Sequence, residues 1–200
     1  MLLFVGLGNP TPNSENNRHN IGFKIIDAIN NKFKLSKQKP KFKGLLTTGS
    51  INNKKVYAIK PLTFMNNSGI CIRELMEYFK IDAEDVIVFH DDLDIDFGKV
   101  KAKFGGSDAG HNGIASIDKF IGKEYSRVRI GIGKPKNNIA VNDHVLKDFD
   151  EDEKTELESI KENITDNLSI LIEKKLDLFS STVNNKYCLL YTSPSPRDMW

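Results

Sequence analysis

Cysteine is nearly missing from this 200-residue chain: Cys71 and Cys188 are the only two, far apart and without metal-ligand spacing. That excludes a disulfide-stapled secreted scaffold and fits a reducing compartment. No apolar run approaches the ~18–20 residues that would span a bilayer. The opening Met1-Leu2-Leu3-Phe4-Val5-Gly6 has neither a basic n-region nor a small-residue cleavage site, which argues against a secretory signal. Charge of one sign is scarce too, with 29 Lys and Arg against 27 Asp and Glu. With 39% hydrophobic and 28% charged residues the chain is not a disordered one. What remains is a cytoplasmic enzyme or binding domain, long enough for a well-buried core.

The small net charge hides an asymmetry. Residues 148–200 hold 12 acids and 6 bases, leaving 23 bases and 15 acids in residues 1–147. Lysines gather at Lys32, Lys34, Lys37, Lys39, Lys41 and Lys43, and again at Lys99, Lys101 and Lys103. Such clusters suit a polyanion binder, and equally a solvated face that keeps the protein soluble.

Hydrophobic periodicity alternates between strand and helix. Leu2–Gly6 reads as a buried strand, followed by a polar loop from Asn9 to Arg18. Ile21, Ile25, Ile26 and Ile29 have helical spacing. Leu45–Ile51 and Lys55–Lys60 form a hairpin pattern around Asn52-Asn53. Ser68 is the expected cap of a helix whose inward face is Cys71, Leu75, Met76 and Phe79. Asp85–His90 is a second strong strand running into carboxylates. Val100–Phe104, a glycine-rich loop at Gly105–Gly113 and a helix to about Ile121 follow. Arg127–Gly133 alternates as a strand with one basic edge. Leu157, Ile160, Ile164, Leu168 and Leu171 predict one long amphipathic helix. No repeat or linker divides residues 1–187, so a single α/β domain is expected. Cys188–Trp200, with two prolines and little to bury, is expected to be disordered and outside the fold.

Three constellations compete for the chemistry. Gly6-Leu7-Gly8 after a strand suggests a dinucleotide turn, but Thr11 stands where the third glycine belongs, between Pro10 and Pro12. A nucleotide-dependent oxidoreductase remains an alternative on this motif alone. His19, His90, His111 and His144 with Asp91, Asp92 and Asp94 lack helix-face ligand spacing, so no metal is expected. The third is a histidine base, His19, with a carboxylate orienter, Asp91, and loop carboxamides at Asn9, Asn66 and Asn112. Imidazole accepts a proton from water at neutral pH, and carboxamides donate to a developing oxyanion without adding charge. With no Gly-x-Ser-x-Gly elbow and no cysteine beside a histidine, water is the expected nucleophile. Taken singly, each of these residues is more often a packing or turn residue.

Their wording changes that balance. Val5-Gly-Leu-Gly-Asn-Pro10, Arg18-His-Asn-Ile-Gly22, Pro61-Leu-Thr-Phe-Met-Asn-Asn-Ser-Gly69, His90-Asp-Asp-Leu-Asp94, Gly105-Gly-Ser-Asp-Ala-Gly-His-Asn-Gly113 and Arg127-Val-Arg-Ile-Gly-Ile-Gly133 stand in order. In this the chain resembles the bacterial-type peptidyl-tRNA hydrolase family over about residues 2–187, with Val183-Asn-Asn-Lys-Tyr187 similar to its closing helix. The resemblance implies a twisted mixed sheet flanked by helices. It implies hydrolysis of the ester joining a peptide to the 3′ ribose of tRNA, and so recycling of peptidyl-tRNA from stalled ribosomes. His19 would be the base, Asp91 its partner, and Asn9 would position water or steady the oxyanion. Asn66 and Asn112 would hold peptide backbone, with Met65 lining the cleft. Lys101, Lys103 and Arg129 resemble the family's tRNA contacts, directed at phosphates of the acceptor stem and 3′ end. The family implies no cofactor, no metal, no membrane, and a cytoplasmic monomer.

The chain departs from the pattern at Thr11, Ser14 and Asn17, where the family usually has glycine, tyrosine and threonine. Ser14 thereby stands at a cleft position. Cys188–Trp200 resembles foreign or out-of-frame sequence. The alternative from another class is an RNA-binding protein like the family's splicing relatives in plant organelles. Retention of His19, Asp91 and the three asparagines favours the enzyme.

Overall fold

Apolar strands bounded by 3.6-period segments have to bury both strand faces, and here a sheet covered by helices on each side does so. The computed structural model describes residues 1–185. Among these, β1 (Leu2–Gly6), β2 (Lys39–Lys41), β3 (Gly44–Ile51), β4 (Lys54–Pro61), β5 (Val86–Asp92), β6 (Val100–Phe104) and β7 (Ser126–Gly131) form a mixed sheet in the order β2-β3-β4-β1-β5-β7-β6. The middle strands β4, β1, β5 and β7 run parallel, and antiparallel partners flank them.

Strand alternation divides the core into two layers. Leu2, Phe4, Ile87, Phe89 and Val128 face α1 (Ile21–Lys32), α5 (Glu151–Asp166), α6 (Leu168–Ile172) and α7 (Leu176–Asn184). Leu3, Val5, Tyr57, Val86 and Val88 face α2 (Ser68–Phe79) and α3 (Asn112–Ile121). The four isoleucines at helical spacing are the buried stripe of α1, each worth about 1.5–3 kcal/mol of burial. Gly22 lets this helix approach main chain: a Cβ there would lie 2.4 Å from Leu7 N and Phe89 O. The turn ahead of α1 is thus held against the ends of β1 and β5.

Local chemistry explains the boundaries. Asn52 and Asn53, at φ 51 and 61, make the β3–β4 turn, a left-handed pair that asparagine tolerates. The edge strand β2 reads Lys-Pro-Lys, so charge and a missing N–H both discourage pairing with another chain. At the opposite edge, Ser180 and Asn184 of α7 accept the Ala102 and Val100 N–H groups, at 2.8 and 2.9 Å.

Several sequence expectations are corrected. Ser68 does not cap α2: Asn67 holds the cap position, and the Ser68 hydroxyl donates to the Met65 carbonyl (2.9 Å). Ile72 joins Cys71 and Leu75 in that helix's buried face, while Met76 and Phe79 are half-buried. The long C-terminal helix is two, α5 and α6, separated at Asn167, whose side-chain amide donates to the Asn163 carbonyl. All five of its apolar residues are nevertheless buried. The glycine-rich loop ends one residue before Asn112, which opens α3. β7 is an interior strand ending at Gly131, and Arg127 on it is buried rather than part of a basic edge. A short helix, α4 (Val141–Val145), had no periodic signal. The expectation for Cys188–Trp200 lies outside the described residues.

The parallel strands end together, and the segments after β1, β4 and β5 meet there. Open α/β sheets place their sites at such ends.

Candidate active site

His19 lies in a short turn, Arg18–Asn20, between β1 and α1, and Asp91 is the next-to-last residue of β5. The His19 Nδ1 meets Asp91 Oδ2 at 2.8 Å. His111, the residue before α3, brings Nε2 to Asp91 Oδ1 at 2.8 Å. Its Nδ1 accepts the Gly113 and Ile114 N–H groups at the start of α3 (3.1 and 3.3 Å). That acceptor role places the His111 proton on Nε2, so it donates to Asp91. His19 likewise donates Nδ1–H to the carboxylate, leaving Nε2 with its lone pair. No described residue hydrogen-bonds that Nε2.

Asp91 is buried. Burial pushes its carboxyl up, but His111 and His19, as charges and donors, outweigh burial and hold it well below the usual carboxylate range. The three groups lie within 4.8 Å of one another, close enough to suggest a metal set. Their protons argue otherwise: both ring nitrogens facing Asp91 are occupied as donors, so neither has a lone pair for a cation while these bonds stand.

The carboxamides are arranged around this pair. Asn9 Oδ1 accepts the Met65 N–H (3.1 Å), which turns its NH2 outward. Asn20 brackets the Asn9 main chain, accepting its N–H and donating to its carbonyl, both at 2.9 Å. Phe64, at φ 59 and half exposed, turns the chain so that Met65 faces Asn9. A cavity of about 370 Å³ lies here, with Asn9, Ser14, His19, Met65, Asn66 and Asn112 on its walls. Ser14 is buried, its hydroxyl 2.6 Å from that of Thr11. A second cavity, about 260 Å³, also borders His19 and is lined by Asp91, Asp92, Leu93, Asp108 and His111.

His90 forms part of the second cavity's wall. Its Nδ1 donates to the Asp91 carbonyl (2.8 Å) and its buried Nε2 has no partner. Burial first, then neighbouring His111, push its pKa down from 6.5 to about 3. The unfolded chain takes up a proton as pH falls below 6.5, whereas the folded one resists until about 3. Stability is therefore fully present above that window and declines through it. We expect the melting temperature to drop steadily on acidification across this range, and less steeply in His90→Gln. Equal slopes for the two proteins would contradict the assignment.

The predicted basic residues differ in availability. Lys101 and Lys103 are exposed on β6, on the face shared with Arg129 of β7. Arg129 is half-buried and donates to Asp92 (2.8 Å), so its charge is already met. Arg127 donates to the Ser107 carbonyl (2.8 Å) and to Asp118 (2.9 Å), which also accepts the Tyr125 hydroxyl (2.8 Å). This buried group anchors the glycine-rich loop that leads to His111.

The structure thus brings His19, Asp91, Asn9, Met65, Asn66, Asn112 and Ser14 to one end of the sheet and leaves Lys101, Lys103 and Arg129 on a neighbouring face. Sequence reasoning omitted His111, Asn20 and Asn142 from the site. The first two lie inside quoted motifs, which was a usable signal; Asn142 lies on the unanticipated α4.

The chain matches the peptidyl-tRNA hydrolase family model over residues 3–189. It is 82% identical over 186 residues to the peptidyl-tRNA hydrolase of Pelagibacter ubique, covering 93% of this chain and all of that one. The Bacillus subtilis peptidyl-tRNA hydrolase is 47% identical over 159 residues, 79% of this chain and 85% of that one. The crystal structure of peptidyl-tRNA hydrolase from Acinetobacter baumannii superposes with a TM-score of 0.86 at 31% identity, covering 92% and 95% of the two chains.

Proposed function

This chain belongs to the peptidyl-tRNA hydrolase family and is a hydrolase of peptidyl-tRNA, and we propose that it cleaves the ester by water attack with His19 as general base. The observation that carries this reading is the His19–Asp91 pair, with His19 on the wall of both cavities. Water gives its proton to Nε2 as its oxygen bonds to the ester carbonyl carbon. Asp91 steadies the imidazolium through Nδ1–H, and the outward NH2 of Asn9 faces the developing oxyanion. Collapse breaks the bond to the ribose 3′ oxygen, which takes the proton back from His19. The products are tRNA with a free 3′ hydroxyl and a peptide carboxylic acid, which gives its proton to solvent and leaves as the carboxylate.

Asn66 and Asn112 have no side-chain partner among the described residues, and in the first cavity they suit the amide groups that every peptide presents. That cavity takes the peptide, and the second takes the terminal nucleoside. Ser14 lines the peptide side. The same reading assigns catalysis to residues 1–187, working as a cytoplasmic monomer without cofactor or metal. Among the described residues no helix is long and apolar enough to cross a membrane.

Lys103, with Lys101 beside it, supplies charge for phosphates of the acceptor stem and 3′ end. Arg129 is the lesser contributor because Asp92 holds it. Phosphate contacts position the tRNA without reading its sequence. Lys103→Ala should raise KM, leave kcat unchanged, and reduce the slope of log affinity against log salt by about 0.7–0.9. Steady-state assays with N-acetylaminoacyl-tRNA across a potassium chloride series measure it. An unchanged slope removes Lys103 from the tRNA path.

A further inference from the structure

The two cavities beside His19 share four lining residues: His19, Asn112, Asn142 and Val145. If one cavity holds peptide and the other nucleoside, the scissile ester crosses between them, and residues common to both flank that bond. His19 and Asn112 already have roles, and Val145 has no polar group. Asn142 is the remaining polar member.

Asn142 is exposed, its backbone braced and its side chain unused. No described residue hydrogen-bonds the Asn142 carboxamide, although its backbone carbonyl accepts the Leu146 N–H within α4. The short helix is fixed relative to the base from several directions. The Arg18 N–H donates to the Lys147 carbonyl (3.1 Å) and the Phe149 N–H to that of Asn16 (3.3 Å). The Arg18 guanidinium pairs with Glu153 (2.7 Å), and His144 Nε2 donates to the Gly133 carbonyl (3.0 Å). Arg18 immediately precedes His19, so the wall carrying Asn142 and the turn carrying the base are one braced unit.

We propose that Asn142 is a substrate-contacting residue, its carboxamide hydrogen-bonding the ribose hydroxyl vicinal to the ester. This rests on the two-cavity reading above. At the junction the substrate presents few polar groups. The ester carbonyl faces Asn9, which lines only the peptide side. The peptide amides lie with Asn66, also confined to that side. The 2′ hydroxyl sits on the carbon next to the one that bears the leaving oxygen, on the nucleoside side of the bond. A carboxamide that borders both cavities can meet it as donor or acceptor.

The test is a chemical double-mutant cycle. Wild type and Asn142→Ala are assayed with N-acetylaminoacyl-tRNA ending in adenosine or in 2′-deoxyadenosine, with the acyl group on the 3′ oxygen. With the natural end, Asn142→Ala should lose roughly three- to ten-fold in kcat/KM, the scale of one neutral hydrogen bond, with an unchanged melting temperature. The deoxy end should penalise wild type more than the variant by that same factor. The intrinsic effect of the hydroxyl on ester reactivity is common to both proteins and cancels. An equal deoxy penalty in both, or an unimpaired variant, overturns the assignment while leaving the hydrolase reading intact. A wild-type protein without turnover of the natural substrate would overturn both.

Discussion

His19→Ala should lower kcat by roughly 10²–10⁴-fold, the usual contribution of a positioned general base. The loss should fall on kcat rather than KM. Among the described residues the His19 ring hydrogen-bonds only to Asp91, and tRNA affinity is assigned to lysines on another face. The measurement is release of the N-acetylaminoacyl group from tRNA by purified protein with EDTA present, wild type beside variant, together with direct tRNA binding. Turnover in wild type alone, with matched binding, supports a base that works without a bound divalent ion. Undiminished hydrolysis by His19→Ala would refute the assignment. Because the base must be unprotonated, wild-type kcat/KM should fall in acid. Asp91 does not set that limb, since its donors keep it charged far below neutrality.

Asp91→Asn should cost a similar roughly 10²–10⁴-fold in kcat, for a reason specific to this site. Asp91 accepts from two rings at once, His19 Nδ1–H and His111 Nε2–H. A carboxamide has one accepting oxygen and one donating nitrogen, so it cannot serve both. If its oxygen keeps His111, its NH2 faces His19 Nδ1 and favours the tautomer with the proton on Nε2, which is not a base. If its oxygen keeps His19, the NH2 faces the His111 proton and the start of α3 loses its fixed partner. Either arrangement also removes the charge that stabilises the imidazolium. Kinetics on the amide variant, with its melting temperature as a control for folding, decide the matter. A variant within about three-fold of wild-type kcat would mean that Asp91 only packs, since even one neutral hydrogen bond is worth about that much.

Much of the architecture could be read directly from the residues. Leu2–Gly6, the Asn52-Asn53 hairpin, the isoleucine stripe of α1 and the strand leading into Asp91 all declared themselves, because period and turn chemistry are local properties. The motif residues around His19 and Asp91 were equally visible, and their wording located the family. The break at Asn167 was not visible, since five apolar residues at helical spacing keep the same buried face whether or not the helix is interrupted.

The site itself was decided by tertiary structure. His19 and Asp91 are 72 residues apart, and only the placement of β1 beside β5 makes them neighbours. Nothing in a linear pattern says that His111 gives its Nδ1 to the start of α3 and so must donate to Asp91. Nor does it say that Arg129 meets Asp92 while Lys103 has no acidic partner among the described residues. Periodicity reports which face of an element is buried. Which polar groups then share that space depends on strand order and on close approaches such as Gly22 against Phe89. For the same reason Asn142, an unremarkable residue in the chain, becomes a wall of both cavities once the Arg18 guanidinium, donating to the His144 carbonyl (3.4 Å), ties α4 to the turn that carries His19.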